Sequence, residues 1–358
     1  MDHLEADHHI STWLTLLAAH QGTDLLLNVG SPPFVRVNGL LYALPDSDLL
    51  TEPLTAAIAQ RLMPTSVYER FQETWEADFA FDWGEGHRLR ANAFRQRGSV
   101  GLALRLLPSA MPTFESLRLP PAVPSLVNLT QGLILVTGPT GSGKTTTLAA
   151  LINRINETRQ CHIITIEDPV EYVHRPHRSM VTQREVGIDT KSFAAALRAA
   201  LREDPDVILV GELRDLESIQ LAMTAAETGH LVLATLHTND ASQTVDRIVD
   251  VFPADQQNQI RTQLAGTLSA VIAQRLLPRI GGGQVPAFEV MMATTGVRNQ
   301  IREGRTQMLR NIIQTGSSVG MVVLEASLIE LVNNGEVDPA HAAAVASHPA
   351  ELLGTGSQ

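Results

Sequence analysis

The fold is decided by the stretch Gly138-Pro139-Thr140-Gly141-Ser142-Gly143-Lys144-Thr145, which matches the phosphate-binding pattern G-x-x-x-x-G-K-[ST] at every fixed position. The apolar run Leu133–Val136 precedes it, and a helix-compatible run, Thr146–Arg154, follows it. A chance match in a glycine-rich turn would lack this strand–loop–helix context. Glycines let the backbone wrap around a phosphate chain, and N–H groups of the loop and helix start point at the anion. We therefore predict a nucleotide site at residues 138–146.

Two side chains of this loop carry the expected chemistry. We expect Lys144 to reach the β- and γ-phosphates and the Thr145 hydroxyl to bind Mg²⁺. Lys144 is one of only two lysines in the chain, beside Lys191, and the remaining long cationic side chains are arginines. This composition argues against Lys144 being a generic surface charge.

Composition sets the broad class. A prior of ~150 residues per domain divides 358 residues into two domains. The net charge of −11 disfavours a broad nucleic-acid surface, which is normally basic. A single cysteine, Cys161, excludes an intrachain disulfide and a Cys₄ zinc site and fits a reducing cytosol. The N-terminus lacks a signal-peptide pattern, and no apolar run approaches the ~18 residues of a spanning helix. We therefore expect a cytoplasmic protein whose membrane contacts are peripheral.

The first 108 residues are predicted to form a small α+β domain. Turn residues separate short strand-like runs, which favours an antiparallel sheet. The predicted helices are 9–20, 53–62 and 65–74, and the predicted strands are 24–29, 34–38, 77–83, 88–95 and 101–106. Five prolines between Pro108 and Pro124 predict a proline-rich linker over 109–124.

From residue 125 the pattern is that of an α/β protein. Short apolar strands alternate with helices, which indicates a parallel sheet covered on both faces. The predicted strands are 132–137, 162–166, 206–210 and 231–236, and the predicted helices are 144–156, 191–203, 215–227 and 254–274. This core is expected to span 125–290. A C-terminal helical region is expected at 291–350, with helices at 294–303, 306–314, 320–333 and 338–347, and a disordered tail at 351–358.

Acidic residues follow two of the apolar strands. Asp206–Val210 is followed by Gly211-Glu212, and a carboxylate there would hold Mg²⁺ or orient the attacking water. A solvated Glu at a strand end is the alternative, which the preceding P-loop disfavours. Ile166–Glu171 places three carboxylates in five residues, stiffened by Pro169, and is a candidate for positioning a general base or a water. An acid-rich turn is common at strand ends and is the alternative.

Histidines and arginines give weaker signals. His230 and His237 flank the strand 231–236, and a spacing of seven puts them on opposite strand faces, so a shared zinc site is disfavoured. They are interpreted either as packing at strand ends or as γ-phosphate sensors. The arginines of the first domain either line a solvated sheet face or reach a nucleotide as arginine fingers. These arginines are Arg88, Arg90, Arg95, Arg97 and Arg105.

Four motifs in this order resemble those of bacterial type II/IV secretion ATPases. Gly138–Thr145, Ile166–Glu171, Asp206–Glu212 and Glu227–Thr238 are similar to their Walker A, Asp-box, Walker B and His-box motifs. Within that superfamily the chain resembles the twitching-motility ATPases, the retraction motors of type IV pili. Supporting stretches are 183–187, 201–206 and 246–253. The resemblance covers nearly the whole chain.

The resemblance implies a fold and a set of partners. It implies a PAS-like α+β N-terminal domain, a RecA-like P-loop ATPase domain and a homohexameric ring. ATP and Mg²⁺ would bind between the two domains. The expected partners are an inner-membrane pilus platform protein and a paralogous retraction or extension ATPase, with no nucleic acid. The protein would act at the inner face of the cytoplasmic membrane.

The resemblance also implies roles for individual residues. Glu171 would be the general base, and Glu212 would serve Mg²⁺ or the attacking water together with Thr145. His230 and His237 would couple the nucleotide state to domain motion. The first domain would supply arginines to the nucleotide, with Arg90, Arg97 and Arg105 as candidates.

One stretch departs from the retraction signature. The family carries a segment resembling Ala-Ile-Arg-Asn-Leu-Ile-Arg-Glu, and here residues 296–303 read Gly-Val-Arg-Asn-Gln-Ile-Arg-Glu. An accessory retraction paralogue therefore stays open. Assembly-type ATPases usually add a longer N-terminal region and a four-cysteine zinc insertion, which a chain with one cysteine lacks. A RecA-like nucleic-acid motor is disfavoured by charge, and a nucleotide-binding regulator without turnover is a further alternative.

Overall fold

The computed structural model describes residues 3–37, 39–45, 47–84, 87–108 and 110–353. The chain forms two compact units. The first unit takes Met1–Ala110 and Pro169–Val173, and the second takes Met111–Asp168 and His174–Gln358. The chain therefore passes between the units three times, and a short segment of the Asp-box motif groups with the first unit.

The first unit is built on a six-stranded antiparallel sheet of order β3-β2-β1-β6-β5-β4. Its strands are β1 Asp24–Leu27, β2 Phe34–Val37, β3 Leu40–Ala43, β4 Glu76–Trp83, β5 His87–Gln96 and β6 Ser99–Leu106. Its helices are α1 His3–Ala19, α2 Glu52–Leu62 and α3 Thr65–Thr74. Along β5, Leu89, Ala91 and Ala93 are buried while Arg90 is exposed. This alternation buries one face of the sheet and leaves the other face to the arginines.

The second unit is built on a seven-stranded sheet of order β13-β12-β7-β11-β10-β8-β9, parallel except for β13. Its strands are β7 Gly132–Thr137, β8 His162–Glu167, β9 Met180–Glu185, β10 Val207–Val210, β11 Leu231–Leu236, β12 Leu268–Pro278 and β13 Gln284–Met292. Its first helices are α4 Phe114–Leu117, α5 Lys144–Thr158, α6 Phe193–Ala200, α7 Leu216–Glu227, α8 Ala241–Asp250 and α9 Gln257–Thr267. Its last helices are α10 Thr295–Arg302, α11 Leu309–Thr315, α12 Leu324–Asn333, α13 Pro339–Val345 and α14 Pro349–Leu353. Three 3₁₀ turns lie at Val123–Asn128, Thr306–Met308 and Ser317–Val319.

Apolar packing covers both faces of this sheet. On β7, Leu133 and Leu135 belong to one buried cluster, which includes residues of α6 to α9. Ile134 and Val136 belong to another, which includes residues of α5. Central parallel strands buried on both faces read as continuous apolar runs, which is why β7 and β11 stand out in the sequence.

One helix prediction for the second unit is wrong, and strands β12 and β13 were not predicted. The predicted helix 254–274 ends at Thr267, and β12 begins at the next residue; β13 occupies 284–292, before the helices α10 to α14. An apolar run such as Leu268–Ala273 fits a buried helix and a buried strand equally well, and pairing with β7 and β13 decides between them.

Two stretches predicted to be irregular contain ordered elements. The proline-rich stretch includes α4 and the start of a 3₁₀ turn, with Val123 and Leu126 buried in the second unit. Residues 351–353 complete α14. The rest of the predicted tail, 354–358, lies outside the described residues. Within the described part of the chain, no helix has the length and apolarity needed to cross a bilayer.

Candidate nucleotide-binding site

The phosphate-binding loop leaves the buried end of β7 and leads directly into α5. Gly138, Gly141 and Gly143 have φ values of +139°, +78° and +86°. A Cβ on Gly138 would lie 2.3 Å from the carbonyl oxygen of Gln274, and one on Gly143 would lie 2.8 Å from the Gln274 Nε2. Glycine is therefore required at both positions by the backbone conformation and by the neighbouring strand β12.

Gln274 also holds the start of the helix that follows the loop. Its Oε1 accepts a hydrogen bond of 2.7 Å from Thr147 Oγ1, and both residues are buried. Sequence reasoning missed Gln274 because it assigned this segment to a helix.

Lys144 lies in the cradle that its loop forms. Its Nζ donates to Gly138 O at 2.8 Å and to Pro139 O at 3.0 Å, and only 9% of the residue is exposed. Burial lowers the pKa of Lys144, and the nearby Glu212 carboxylate opposes that shift. The ammonium is thus positioned over the loop, where a phosphate chain would meet it.

The cradle fits a polar anionic ligand. Ser142 Oγ and Thr137 Oγ1 are buried hydroxyl oxygens without a hydrogen-bond partner among the described residues. Unpaired buried hydroxyls are costly, and the Ser142 hydroxyl, which belongs to the loop itself, would gain a partner from a ligand with acceptor oxygens. Thr145, at the second position of α5, supplies the hydroxyl that this loop class offers to Mg²⁺.

A series of contacting polar side chains runs from the loop to the ends of β10 and β11. His237 Nδ1 lies 3.5 Å from Lys144 Nζ, and His237 Nε2 lies 3.2 Å from Glu212 Oε1. Glu212 Oε2 also pairs with Arg214 Nη2 at 2.8 Å. With the proton on Nε2, His237 donates to Glu212 and accepts from Lys144. The structure therefore brings Lys144, His237 and Glu212 together.

Glu212 is ionised at neutral pH. Burial by itself would raise the pKa of this carboxyl, but the hydrogen bonds of Arg214 and His237 and the charge of Arg214 outweigh it, and the pKa is lowered. Arg214 was missed by the sequence reasoning, although its place two residues after Glu212 is a usable signal.

Glu171 follows strand β8 in the sequence. It belongs to the segment Pro169–Val173, which groups with the first unit, where Arg88 Nε donates to Val170 O at 2.7 Å. Glu171 is half-buried. Its role as a general base stays a prediction.

His230 is not brought to the phosphate-binding loop of its own chain. It precedes β11, whose first residue pairs with Gly132, whereas the last residue pairs with Thr137 beside the loop. The two ends are about 20 Å apart at the usual rise per strand residue. His230 Nδ1 instead lies 2.9 Å from Ala225 O near the end of α7. This corrects the interpretation of His230 as a phosphate sensor for this loop, while its coupling role stays a prediction.

The three candidate arginine fingers do not form one cluster. Arg90 and Arg105 are directly paired across β5 and β6, and all three candidates are exposed. Arg105 Nε donates to Asp24 Oδ1 at 2.8 Å. Arg97 lies in the tight turn between these strands, roughly 20 Å along the strand from Arg90. Their contact with a nucleotide stays a prediction.

A glycine-rich loop between the buried parallel strand β7 and a helix, with a carboxylate after β10, the second strand along the sheet from β7, defines a P-loop ATPase. Residues 102–335 match the family described as Type II/IV secretion system protein. The chain is 46% identical to the type IV pilus retractation ATPase PilT of Pseudomonas aeruginosa over 339 residues, covering 94% of this chain and 98% of that one. It is 39% identical to the type IV pilus ATPase PilU of the same organism over 325 residues, covering 90% and 85%.

A solved structure of a pilus retraction motor is also similar to this chain. The crystal structure of the pilus retraction motor PilT with bound ADP matches with a TM-score of 0.91 at 46% identity, covering 97% of this chain and 99% of that one. The chain belongs to the type II/IV secretion system protein family, in its PilT-type branch. It is accordingly a nucleotide-binding ATPase of that family.

Proposed function

We propose that this protein is the ATP-hydrolysing motor of type IV pilus retraction. The observation that carries the proposal is the chain Lys144–His237–Glu212 beside the phosphate-binding loop, in a protein that aligns with a pilus retraction ATPase over nearly its whole length. The identity to PilT, 46%, exceeds the identity to PilU, 39%, which favours the primary motor over the accessory one.

Each residue of the cluster has a task in hydrolysis. The loop N–H groups and Lys144 bind the β- and γ-phosphate oxygens. Thr145 and Glu212 offer the oxygen ligands that Mg²⁺ prefers. When bound, Mg²⁺ would neutralise phosphate charge. Glu171 accepts the proton of the attacking water.

His237 links the phosphate-binding lysine to the acidic group. Because its two ring nitrogens contact Lys144 and Glu212, a change of charge at the phosphates alters both contacts. Gly211 and Leu213 flank Glu212 at the end of β10, so the altered contacts act on the segment that leads into α7. We infer that this linkage converts the nucleotide state into movement.

The motor requires an assembly. We propose a homohexamer in which Arg90, Arg97 and Arg105 contribute to nucleotide contacts, and which transmits its motion to a pilus platform protein at the inner membrane face. A paralogous pilus ATPase would share that platform. An assembly-type ATPase is the second candidate, and the single cysteine disfavours it because such ATPases usually carry a four-cysteine zinc insertion.

The deciding experiment counts surface pili and measures twitching in cells that lack the gene. Excess pili with lost twitching, restored by the wild-type gene but not by Lys144→Ala, is the expected result. Bald cells would reject retraction in favour of assembly. Retraction that persists at reduced force would instead identify an accessory motor.

A further inference from the structure

Gln183 joins the two ends of the chain excursion that carries Glu171. The chain leaves the second unit after Glu167 and Asp168 and returns at His174. Gln183 Oε1 accepts a hydrogen bond of 2.7 Å from the His174 N–H. Gln183 Nε2 donates a hydrogen bond of 3.1 Å to Glu167 Oε1. One carboxamide thus connects the exit and the return of the excursion.

The anchoring points on both sides are firm. Glu167 and His174 are 8% and 7% exposed. Glu167 Oε1 also accepts a 2.6 Å hydrogen bond from Thr165 Oγ1. Gln183 lies on β9 directly opposite Thr165 of β8, so the register of the sheet fixes its position. Glu167 cannot move without breaking a buried and a partly buried hydrogen bond, and His174 cannot move without breaking a partly buried one.

The excursion is also held near its middle. Arg88 Nε donates to Val170 O at 2.7 Å, one residue before Glu171. Fixing both ends and the middle of this five-residue segment, Pro169–Val173, removes most of its conformational freedom before a substrate binds. Positioning of this kind matters in catalysis, because a misplacement of about 1 Å can lower the rate about 100-fold.

We propose that Gln183 is a positioning residue for the general base Glu171. The inference rests on the proposed function of Glu171, and in this role Gln183 acts through the loop that carries Glu171. Gln183 holds the separation of Glu167 and His174, and this separation sets the geometry of the loop that presents Glu171. Gln183, the first residue of the stretch 183–187, thereby has a structural role in hydrolysis.

The test compares steady-state ATP turnover of the purified full-length chain. Gln183→Met removes both hydrogen bonds at similar volume and should lower kcat about 10-fold with the ATP KM nearly unchanged, because binding groups are untouched. The matched control is Thr182→Val on the same strand. It removes the contact of 3.1 Å between Thr182 Oγ1 and His162 Nε2, outside the excursion, and should leave kcat near the wild-type value.

A double variant separates positioning from general damage. In a Glu171→Gln background, adding Gln183→Met should lower kcat no further, because residues that act as a unit are not additive. A further 10-fold loss in that background, or a wild-type kcat in Gln183→Met alone, would overturn the proposal. Should Gln183→Met not fold, Gln183→Glu replaces it in the same comparison, because it keeps the acceptor for His174 and loses the donor to Glu167.

These variants test the role of Glu171 as general base and the positioning role of Gln183 separately. Normal turnover in Glu171→Gln alone removes Glu171 from the base role, whatever Gln183 does. Lost turnover in Glu171→Gln with normal turnover in Gln183→Met keeps the base and rejects the positioning.

Discussion

The two ends of strand β11 carry a histidine each, in one sequence motif, and are built for different purposes. At the end of β11, His237 contacts an ammonium and a carboxylate, which are themselves held by the phosphate-binding loop and by Arg214. At its start, His230 contacts a backbone carbonyl of α7. His237 therefore links side chains of the phosphate-binding site, whereas His230 secures the junction of β11 with α7.

Arg298 also contacts the backbone. It lines a polar cavity of 710 Å³ together with Gly132 and Gln263, among others. Arg298 Nε donates to Ala293 O at 2.9 Å, and its Nη1 donates to the carbonyls of Ala265 and Gly266 at the end of α9. The arginine of the retraction-like stretch therefore ties α10 to α9 in this unit.

Removing the lysine of the phosphate-binding loop, near the end of β11 that carries His237, should change ATP turnover more than any other substitution considered. Lys144→Ala should abolish ATP turnover and weaken nucleotide binding, because it removes the ammonium that the loop carbonyls of Gly138 and Pro139 hold over the phosphate site. Turnover is measured by phosphate release and binding by a fluorescent nucleotide. Turnover comparable with the wild type would refute the assignment of the loop.

The next effect concerns the pH dependence of stability. Burial first, and then the charges of Asp240 and Glu325, raise the pKa of Glu289 from 4.5 to about 7, against the Ala241 N–H and Arg310. Below pH 7 the folded protein keeps a proton that the unfolded chain releases above 4.5. The Glu289 contribution to the free energy of unfolding therefore falls as pH rises from 4.5 to 7, by about 3 kcal/mol.

His174 contributes the opposite slope. Burial lowers its pKa from 6.5 to about 4, so the unfolded chain binds the proton more readily, and stability falls as pH drops from 6.5 to 4. The two contributions offset each other in the wild type. Glu289→Gln should leave a protein that loses stability on acidification, and His174→Leu one that loses it towards pH 7. Urea unfolding across this range is the measurement, and parallel pH profiles for the two variants would contradict the assignment.

Substitution of the two histidines should have smaller effects, which differ between the two ends of β11. His237→Ala should lower kcat about 10-fold, because it breaks the link between Lys144 and Glu212. His230→Ala should cost about 1 kcal/mol of stability through its lost hydrogen bond, with little effect on kcat in the isolated chain. Equal losses of kcat would show that the two ends of β11 are coupled by something other than contact.

Substitution of Arg298, which joins α10 to α9, should have the smallest effect. Arg298→Ala should lower the free energy of unfolding by about 1–2 kcal/mol, because three backbone carbonyls lose a shared donor. Chemical denaturation measures it, and Arg302→Ala, four residues further along α10, is the matched control. A large fall in ATP affinity with unchanged stability would instead give Arg298 a place in the nucleotide site.

Short sequence motifs and apolar runs were sufficient to predict the phosphate-binding loop and the strands around it. They were insufficient to predict β12, the role of Gln274 and the placement of His230. β7, β10 and β11 are continuous apolar runs, and the loop glycines are required by backbone geometry that the sequence pattern encodes directly. β12 and Gln274 were missed because a buried strand and a buried helix have the same composition over ten residues. The placement of His230 follows from strand direction and register, and the grouping of 169–173 with the first unit follows from tertiary packing. Neither is written in a short motif.

The threefold passage of the chain between the two units has a topological consequence. A single cut by a protease near residue 111 would release residues 1–110 but leave 169–173, a part of the first unit, in the fragment that contains the second unit. A fragment that ends at residue 110 would lack Val170, whose carbonyl accepts from Arg88. The first unit is therefore no contiguous module that can be excised or exchanged intact: whoever grafts it onto another ATPase must transplant part of the Asp-box motif with it.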